Sequence, residues 1–158
     1  MQGDIRSCVL ALAETEPTMQ EVFQYRFDRG RLEGQCLGNL FIAAMSEIFG
    51  SFEGAVSKMS EFLAVKGKVL PVSLDDIQLS VILKNGKQVT GESGIKLEVM
   101  KQKSPIDKVF VGPGNPKAYH AVLDEIYNAD VIVLGPASLY TSLLANLVIP
   151  KVADVLRE

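Results

Sequence analysis

The chain has 158 residues and a net charge of −3, and it is 47% hydrophobic and 22% charged. This length favours one domain or part of one, and the apolar content indicates either a deeply buried sheet or a surface that packs on another segment or subunit, including a second copy. The basic residues are scattered, which argues against nucleic acid as the main partner. No apolar run is long enough to span a membrane, and none is flanked like a signal peptide, so a cytoplasmic protein is expected.

Cysteine and histidine positions predict no metal site. Cys8 and Cys36 are isolated thiols without CxxC spacing, and His120 is the single histidine, so neither zinc nor a disulfide framework is indicated and no cofactor is expected. Both cysteines are expected to be small core residues. The sequence has no Ser/His/Asp spacing, GxGxxG or Walker loop, so no catalytic residue is assigned and a non-enzymatic protein is favoured.

Residues 1–67 are predicted to be mainly helical. The expected helices are Asp4–Leu12, Glu16–Phe27, one that begins at Leu37, and Phe52–Val65. The third helix is expected to be largely buried, and Ser51 or Ser57 is expected to begin or interrupt the fourth.

Residues 68–103 make up a predicted β-hairpin section. Apolar and polar residues alternate from Ile77 to Leu83, and a second run from Val89 to Glu92 follows Asn85-Gly86, the strongest short-range signal for a hairpin. A further strand over Ile95–Met100 has one polar face, so we expect it at a sheet edge or in a flap.

Residues 104–158 are predicted to run strand, helix, strand, helix. The strands are Val109–Val111 and Asp130–Leu134, and Ala118–Tyr127 is the helix between them. The second strand ends in four apolar residues without alternation, which is typical of a parallel strand buried on both faces. The predicted fold is therefore α/β: residues 1–158 form a partial Rossmann-like three-layer domain, with a mainly parallel sheet plus the hairpin section, incomplete at both ends.

The junction after the last strand is a candidate anion site. Ligands of parallel sheets bind at the carboxyl ends of strands, beside helix N-termini. Gly135 permits a close approach, Pro136 stiffens the exit, and Ser138 can cap the following helix. Tyr140 could contact a base or sugar, or simply pack. A well-capped turn without a ligand is the alternative interpretation of the whole junction.

Two other polar groups stand where apolar helices begin. The first helix is expected to begin around Gly3, Asp4 and Arg6. An arginine at this place can donate two parallel hydrogen bonds to a phosphate or carboxylate. The alternative is a capping aspartate with a solvated or ion-paired arginine. Gly38 and Asn39 open the third helix, where a buried amide needs partners. Asn39 therefore either contacts a ligand or joins two helices.

Three segments in this order resemble the motifs of the gluconeogenesis factor family. They are Gly3-Asp4-Ile5-Arg6-Ser7-Cys8-Val9, then Phe23-Gln24-Tyr25-Arg26-Phe27 with Leu37-Gly38-Asn39-Leu40, and then Gly135-Pro136-Ala137-Ser138-Leu139-Tyr140-Thr141-Ser142. The resemblance covers essentially the whole chain. It implies a Rossmann-like fold and a regulatory protein that binds a UDP-sugar and is needed for gluconeogenic growth and cell shape. It also implies kinship with 2-phospho-L-lactate transferase, which joins a phospholactate group to a deazaflavin precursor.

The chain departs from the family pattern in several places. Gln35 and Cys36 stand where His-Ser is usual, and Ala137 where glycine is usual. Family members open with a strand and a glycine-rich loop before the first motif and continue beyond Glu158, so the resemblance implies the central portion of a longer protein. Arg6 and the Ser138 turn would supply about half of the roughly 8 kcal/mol that micromolar affinity needs.

These 158 residues alone are therefore expected to bind a nucleotide-sugar weakly or not at all. Three functions stay open: a UDP-sugar-binding regulatory protein, a 2-phospho-L-lactate transferase-like enzyme, and a structural or oligomerisation fragment without a ligand. Ligand-binding residues are expected at Gly3, Asp4, Arg6, Gly38, Asn39, Gly135, Pro136, Ser138 and Tyr140.

Overall fold

The structure, a computed structural model, describes residues 2–158 and the side chains from residue 3 onward. The chain divides into two compact units, the first ending at Pro71 and the second spanning Val72–Glu158. Because each unit has its own cluster of buried apolar side chains, hydrophobic burial drives the folding of both.

The first unit contains four α-helices. They are α1 (Gln2–Leu12), α2 (Pro17–Gln24), α3 (Leu37–Phe49) and α4 (Phe52–Phe62), with a 3₁₀ turn at Gly30–Leu32. Proline at the first position of α2 is pre-organised for a helix start. The hydroxyl of Ser51 accepts the Gly54 N–H at 3.0 Å and caps α4, which confirms Ser51 as its start.

The core of this unit lies between α1, α3 and α4. Its buried members are Val9, Leu10, Phe23, Ile42, Ala55, Val56, Met59 and Leu63. Cys36 is buried at 1% exposure, as predicted, but Cys8 is exposed. The prediction for Cys8 is wrong because α1 buries Val9 and Leu10 next to it, and the cysteine falls outside that face.

Two predictions about the helices of the first unit are wrong. In α3 only Gly38 and Ile42 are buried, so this helix is amphipathic rather than largely buried. Helix α2 stops at Gln24 instead of Phe27 because the chain becomes extended at Tyr25, whose carbonyl accepts the Leu37 N–H at 2.9 Å. This extended segment therefore holds the start of α3.

The second unit contains a sheet with helices beside and after it. Its elements are β1 (Gln78–Leu83), β2 (Gln88–Thr90), α5 (Glu92–Gln102), β3 (Ile106–Gly112), α6 (His120–Tyr127), a π-helical turn (Leu139–Leu143), α7 (Leu144–Leu147) and α8 (Val152–Val155). The sheet order is β2-β1-β3, and both pairings are antiparallel. The predicted hairpin is confirmed, with Val81 opposite Val89.

The predicted strand over residues 95–100 is wrong, because these residues belong to helix α5. Ile95, at 1% exposure, and the partly buried Val99 are four residues apart and share one helix face, whereas Leu97 is 71% exposed. Alternation of only three apolar residues is compatible with both the two-residue period of a strand and the 3.6-residue period of a helix. Gly91, at φ 91°, ends the preceding strand and allows the helix to begin.

The predicted buried strand at Val131–Leu134 is not formed. These residues lie in no helix or strand, and Val131 and Val133 are 76% and 82% exposed. A strand exists only when a neighbour pairs with it, and within residues 2–158 no strand pairs with this segment. The small sheet is antiparallel, so the predicted parallel sheet is not confirmed.

The start of the second unit is bound to the approach to α6. The Ser73 hydroxyl is 2.7 Å from the Lys117 carbonyl, to which it donates, and it accepts the Asp75 N–H at 3.2 Å. The Asp75 carboxylate accepts the Lys117 N–H at 2.8 Å, and Tyr119 N–H donates to the Val72 carbonyl at 2.8 Å. Ser73 is buried at 2% exposure, so these bonds satisfy groups that are hidden from water.

Across residues 2–158, no single helix is long and apolar enough to cross a membrane; α3 and α4 meet the length and composition criteria only as a pair, bent by 116°.

A carboxylate on α5 makes the stability of the second unit dependent on pH. Hydrogen bonds from Lys87 and then Gln102 lower the pKa of Glu98 below its ordinary value of 4.5. Because the pKa is lower in the folded protein than in the unfolded chain, the ionised Glu98 stabilises the fold at pH values above 4.5. This stabilisation is lost as the pH falls through the lowered pKa.

We expect Glu98→Gln to lower the urea midpoint slightly at about pH 6 and to lower it by less at about pH 3. Lys87→Met should behave in the same way, because it removes the other partner of the ion pair. Equal losses at both pH values would contradict this origin of the pH dependence.

Candidate ligand-binding site

Arg6 and Asn39, from two of the three motifs, are in contact in the first unit. The Arg6 Nη1 donates to the Asn39 Oδ1 at 3.3 Å and to the Cys36 Sγ at 2.6 Å. Cys36 is the residue before α3, so Arg6 on α1 reaches the start of α3. The contact supports the interpretation in which Asn39 joins two helices, and it places a cation at a helix N-terminus.

The contact of Arg6 with the start of α3 requires a glycine at position 38. A Cβ atom at Gly38 would lie 2.6 Å from the Phe23 carbonyl oxygen and 2.7 Å from the Arg6 Cδ. Both separations are shorter than atoms outside a hydrogen bond can adopt, so the stem of Arg6 packs directly on the backbone of α3. The sequence marks Gly38 as a possible ligand contact, and the structure adds a packing role.

The Arg6 guanidinium has one unsatisfied donor. Its Nε is buried and no acceptor for it exists among residues 2–158, whereas Nη1 is bound as described and Nη2 is 3.4 Å from the Ser7 Oγ. A buried donor without an acceptor costs about 1–3 kcal/mol and requires an explanation, of which a missing ion or water is one. The residue before α3, Cys36, gives the helix no side-chain cap.

Gly3 and Asp4 lie in the first turn of α1. The Gly3 carbonyl accepts the Ser7 hydroxyl at 2.8 Å, and Asp4 is an exposed acidic residue of that turn. An acid in the first turn interacts favourably with the helix dipole. Because the helix begins at Gln2, Asp4 is a first-turn residue and not the helix cap.

The thiol of Cys36 has two roles that its sequence context does not show. It accepts from Arg6 and donates to the Phe23 carbonyl at 3.3 Å. The 2.6 Å separation from Arg6 is nearer to the range of N–H···O than of N–H···S bonds. An oxygen at this position would therefore fit, in agreement with the serine that is usual in the family pattern.

We expect Cys36→Ser to keep the stability of the first unit and Cys36→Ala to lower its free energy of unfolding by about 1–3 kcal/mol. The hydroxyl retains both hydrogen bonds, whereas alanine removes one of the two acceptors of the Arg6 Nη1 and the thiol that donates to the Phe23 carbonyl. Urea unfolding of the two variants measures the difference. Equal losses would show that the volume of the side chain, and not its hydrogen bonds, matters at this position.

The third motif lies in the second unit. Gly135 and Pro136 are exposed and precede the π-helical turn. The predicted cap is confirmed, because the Ser138 hydroxyl accepts the Thr141 N–H at 3.4 Å. Short π-helical turns are frequent at functional sites. That this motif and the Arg6 motif bind one ligand stays a prediction.

A cavity of about 660 Å³ opens beside this motif, inside the second unit. Ser138, Tyr140 and Thr141 form one side of it, and residues of α5 form the other. The volume lies within the range of small-molecule sites. Sequence reasoning missed the α5 side, because residues 95–100 have the alternation of a strand. Gly91, which precedes α5 with a φ of 91°, is the residue that could have indicated a break between strand and helix.

Within residues 2–158, no group of three or more His, Cys, Asp or Glu side chains could hold a metal ion. The polar groups of the two motifs and of the cavity include the Arg6 guanidinium, the Asn39 amide, several hydroxyls and charged residues of α5.

Comparison with known proteins gives relatives along nearly the whole chain. A relative in Thermoanaerobacterium thermosulfurigenes is 54% identical over 156 residues, which are 99% of this chain and 48% of the relative. The gluconeogenesis factor of Bacillus subtilis is 42% identical over 153 residues, 96% of this chain and 47% of that protein. The chain thus spans about half the length of the curated relatives it matches.

A solved structure shows the same arrangement of elements. The crystal structure of a Bacillus halodurans protein is 43% identical, with a TM-score of 0.89, over 99% of this chain and 49% of the other. The family described as 2-phospho-L-lactate transferase CofD matches residues 1–158. Because this match covers the entire chain, the protein belongs to the CofD family and is a relative of the gluconeogenesis factors.

Proposed function

We propose that this chain is part of a cytoplasmic regulatory protein of the gluconeogenesis factor type, which binds a UDP-sugar and acts in carbon metabolism and cell shape. The names of its relatives, which are gluconeogenesis factors, support this class. The observation that carries the ligand proposal is the buried Arg6 Nε, which has no acceptor among residues 2–158.

The Arg6 site has the chemistry of an anion site. A guanidinium lies beside a helix start that no side chain caps, and both features favour an acceptor with negative charge. Asn39 can add an amide donor, because only its Oδ1 is used by Arg6. A phosphate oxygen of a nucleotide-sugar would supply the acceptor that Arg6 lacks.

The Ser138 motif supplies a second set of contacts in the proposal. Gly135 has nothing within 4 Å of the position of a Cβ, so a ligand can approach its backbone. Ser138 and Tyr140 line the cavity of the second unit, and a hydroxyl and an aromatic ring suit a sugar or a base.

The binding test is a titration of the isotope-labelled chain with UDP-N-acetylglucosamine, followed by amide chemical shifts up to about 10 mM ligand. We expect a millimolar dissociation constant, equivalent to about 4 kcal/mol, with shifts at residues 3–7 and 36–39. Arg6→Lys keeps the positive charge but loses the planar guanidinium that can donate two parallel hydrogen bonds, so it should weaken binding several-fold. Arg29→Ala, at a cation whose side chain is 92% exposed, is the matched control and should bind like the wild type.

Two results of the titration would count against the proposal. Absence of binding at the highest concentration, both in this chain and in a chain of the relatives' full length, would overturn nucleotide-sugar binding. Equal affinity of wild type and Arg6→Lys, with both folded by circular dichroism, would remove Arg6 from the site.

A second candidate is an enzyme that transfers a phospholactate group to a deazaflavin precursor. The description of the matching family, 2-phospho-L-lactate transferase, favours it. Formation of the phospholactyl product from a deazaflavin acceptor by a chain of the relatives' full length would place this candidate first. Lack of product together with nucleotide-sugar binding supports the regulatory class.

A further inference from the structure

The cavity of the second unit has an apolar floor. Ile95 is 1% exposed, and Val99 and Ile106 are partly buried against the same cluster. Met100 adds a thioether to the wall and Tyr140 an aromatic ring. Apolar and soft, polarisable surfaces of this kind suit the faces of a flat ring.

The polar rim of the cavity carries balanced charge. Glu92 and Lys96 are four residues apart on α5 and both line the cavity, so they are neighbours on the helix surface. Their charges cancel, and the rim therefore has little net attraction for a diphosphate. The cavity is better suited to an uncharged part of a ligand than to its phosphates.

Glu92 is available to a ligand. Among residues 2–158, neither its carboxylate nor the Lys96 ammonium has a hydrogen-bond or ion-pair partner. An ionised carboxylate only accepts hydrogen bonds, and two adjacent hydroxyls of a ribose are donors that match its two oxygens. The hydroxyls of Ser93 and Thr141 on the same rim can donate or accept.

We infer that this cavity holds the nucleoside end of the ligand, with the base on the floor formed by Ile95, Val99 and Ile106 and the ribose hydroxyls donating to Glu92. The assignment rests on the proposed function and deepens it, because it states which part of a nucleotide-sugar this cavity recognises. Glu92 then determines specificity for a ribonucleotide over a deoxyribonucleotide.

The experiment compares UDP with 2′-deoxyuridine 5′-diphosphate as ligands of the wild-type chain and of Glu92→Ala. A hydrogen bond to a charged group corresponds to about tenfold in affinity or more. We expect UDP to bind about tenfold more tightly than the deoxynucleotide in the wild type, and the ratio to approach one in Glu92→Ala. Asp107→Asn is the matched control, since Asp107 follows Ile106 on β3 and its side chain points to the opposite face of the strand.

Amide shifts give a second readout that does not depend on a variant. Uridine alone should move the amides of residues 92–96 and 138–141, whereas N-acetylglucosamine 1-phosphate should not. Equal binding of the two nucleotides by the wild type, or a ratio that survives in folded Glu92→Ala, overturns the assignment. If UDP-N-acetylglucosamine still binds in that case, the proposed function stands. If neither this chain nor one of the relatives' full length binds UDP or the UDP-sugar, both fail.

Discussion

Replacing Gly38 with alanine is expected to lower the free energy of unfolding of the first unit by about 2 kcal/mol. Overpacking costs about 1–3 kcal/mol or more, and the 2.6 Å approach to the Phe23 carbonyl puts Gly38→Ala at the upper end. Alanine returns about 1 kcal/mol through its better helix propensity. For a unit of this size, the melting temperature should fall by roughly 8–16 °C.

Gly3→Ala is the matched control for this prediction. Gly3 also lies in a helix, but nothing lies within 4 Å of the position that a Cβ would occupy. This variant should melt at the wild-type temperature or slightly above it. A Gly38→Ala protein that melts like Gly3→Ala would contradict the close packing of Arg6 on α3.

Replacing Val131 and Val133 with glutamate is expected to abolish self-association of the chain. Both side chains are more than 75% exposed, and Ile132 and Leu134 between and after them are 46% and 65% exposed. An exposed apolar segment that no strand of residues 2–158 pairs with is a surface on which a second copy can associate. Sedimentation velocity over a range of concentrations should show association of the wild type and a monomer for the double variant.

The control adds the same charge at apolar residues that are exposed singly on helices. Ile48 and Leu97 are 70% and 71% exposed, and Ile48→Glu/Leu97→Glu should associate like the wild type. Melting temperatures should change little in either variant, because exposed side chains contribute within about 0.5 kcal/mol. A wild-type chain that stays monomeric, or a Val131/Val133 variant that still associates, would contradict this role and the structural candidate function with it.

Local signals in the sequence were enough to predict several elements. Asn85-Gly86 predicts the β1–β2 hairpin, and the structure has Ser80, Val81 and Ile82 opposite Thr90, Val89 and Gln88. Ser51 predicts the start of α4 through its capping bond. In each case the stabilising contact joins residues close together in the chain, so the pattern contains the information.

Predictions that depend on distant neighbours were less successful. Residues 131–134 have the composition of a buried strand, but a strand requires a partner that composition does not identify. Residues 95–100 fit two periods, and burial of Ile95 and Val99 against β1 and its neighbours decides for the helix. Tertiary packing therefore overrides local pattern at both places.

In the candidate site, too, local signals could be predicted from the sequence and contacts between distant residues could not. The motifs place Arg6 and Asn39 at helix starts, but only the folded chain shows that they touch. The role of Gly38 depends on a carbonyl fifteen residues earlier in the chain and on the Arg6 stem. Sequence could not show either contact, because both depend on the crossing of α1, α2 and α3.

The bonds of Ser73 and Asp75 have a consequence for how the gene can be divided. Ser73 and the carbonyl that it binds are 44 residues apart, so the loop before the hairpin and the approach to α6 belong to one cooperative unit. A shortened protein that starts after Asp75 would leave the Lys117 amide and carbonyl without these partners. A start at Val72 would preserve all four bonds, and this makes residue 72 the natural place to separate the two halves for recombination with relatives.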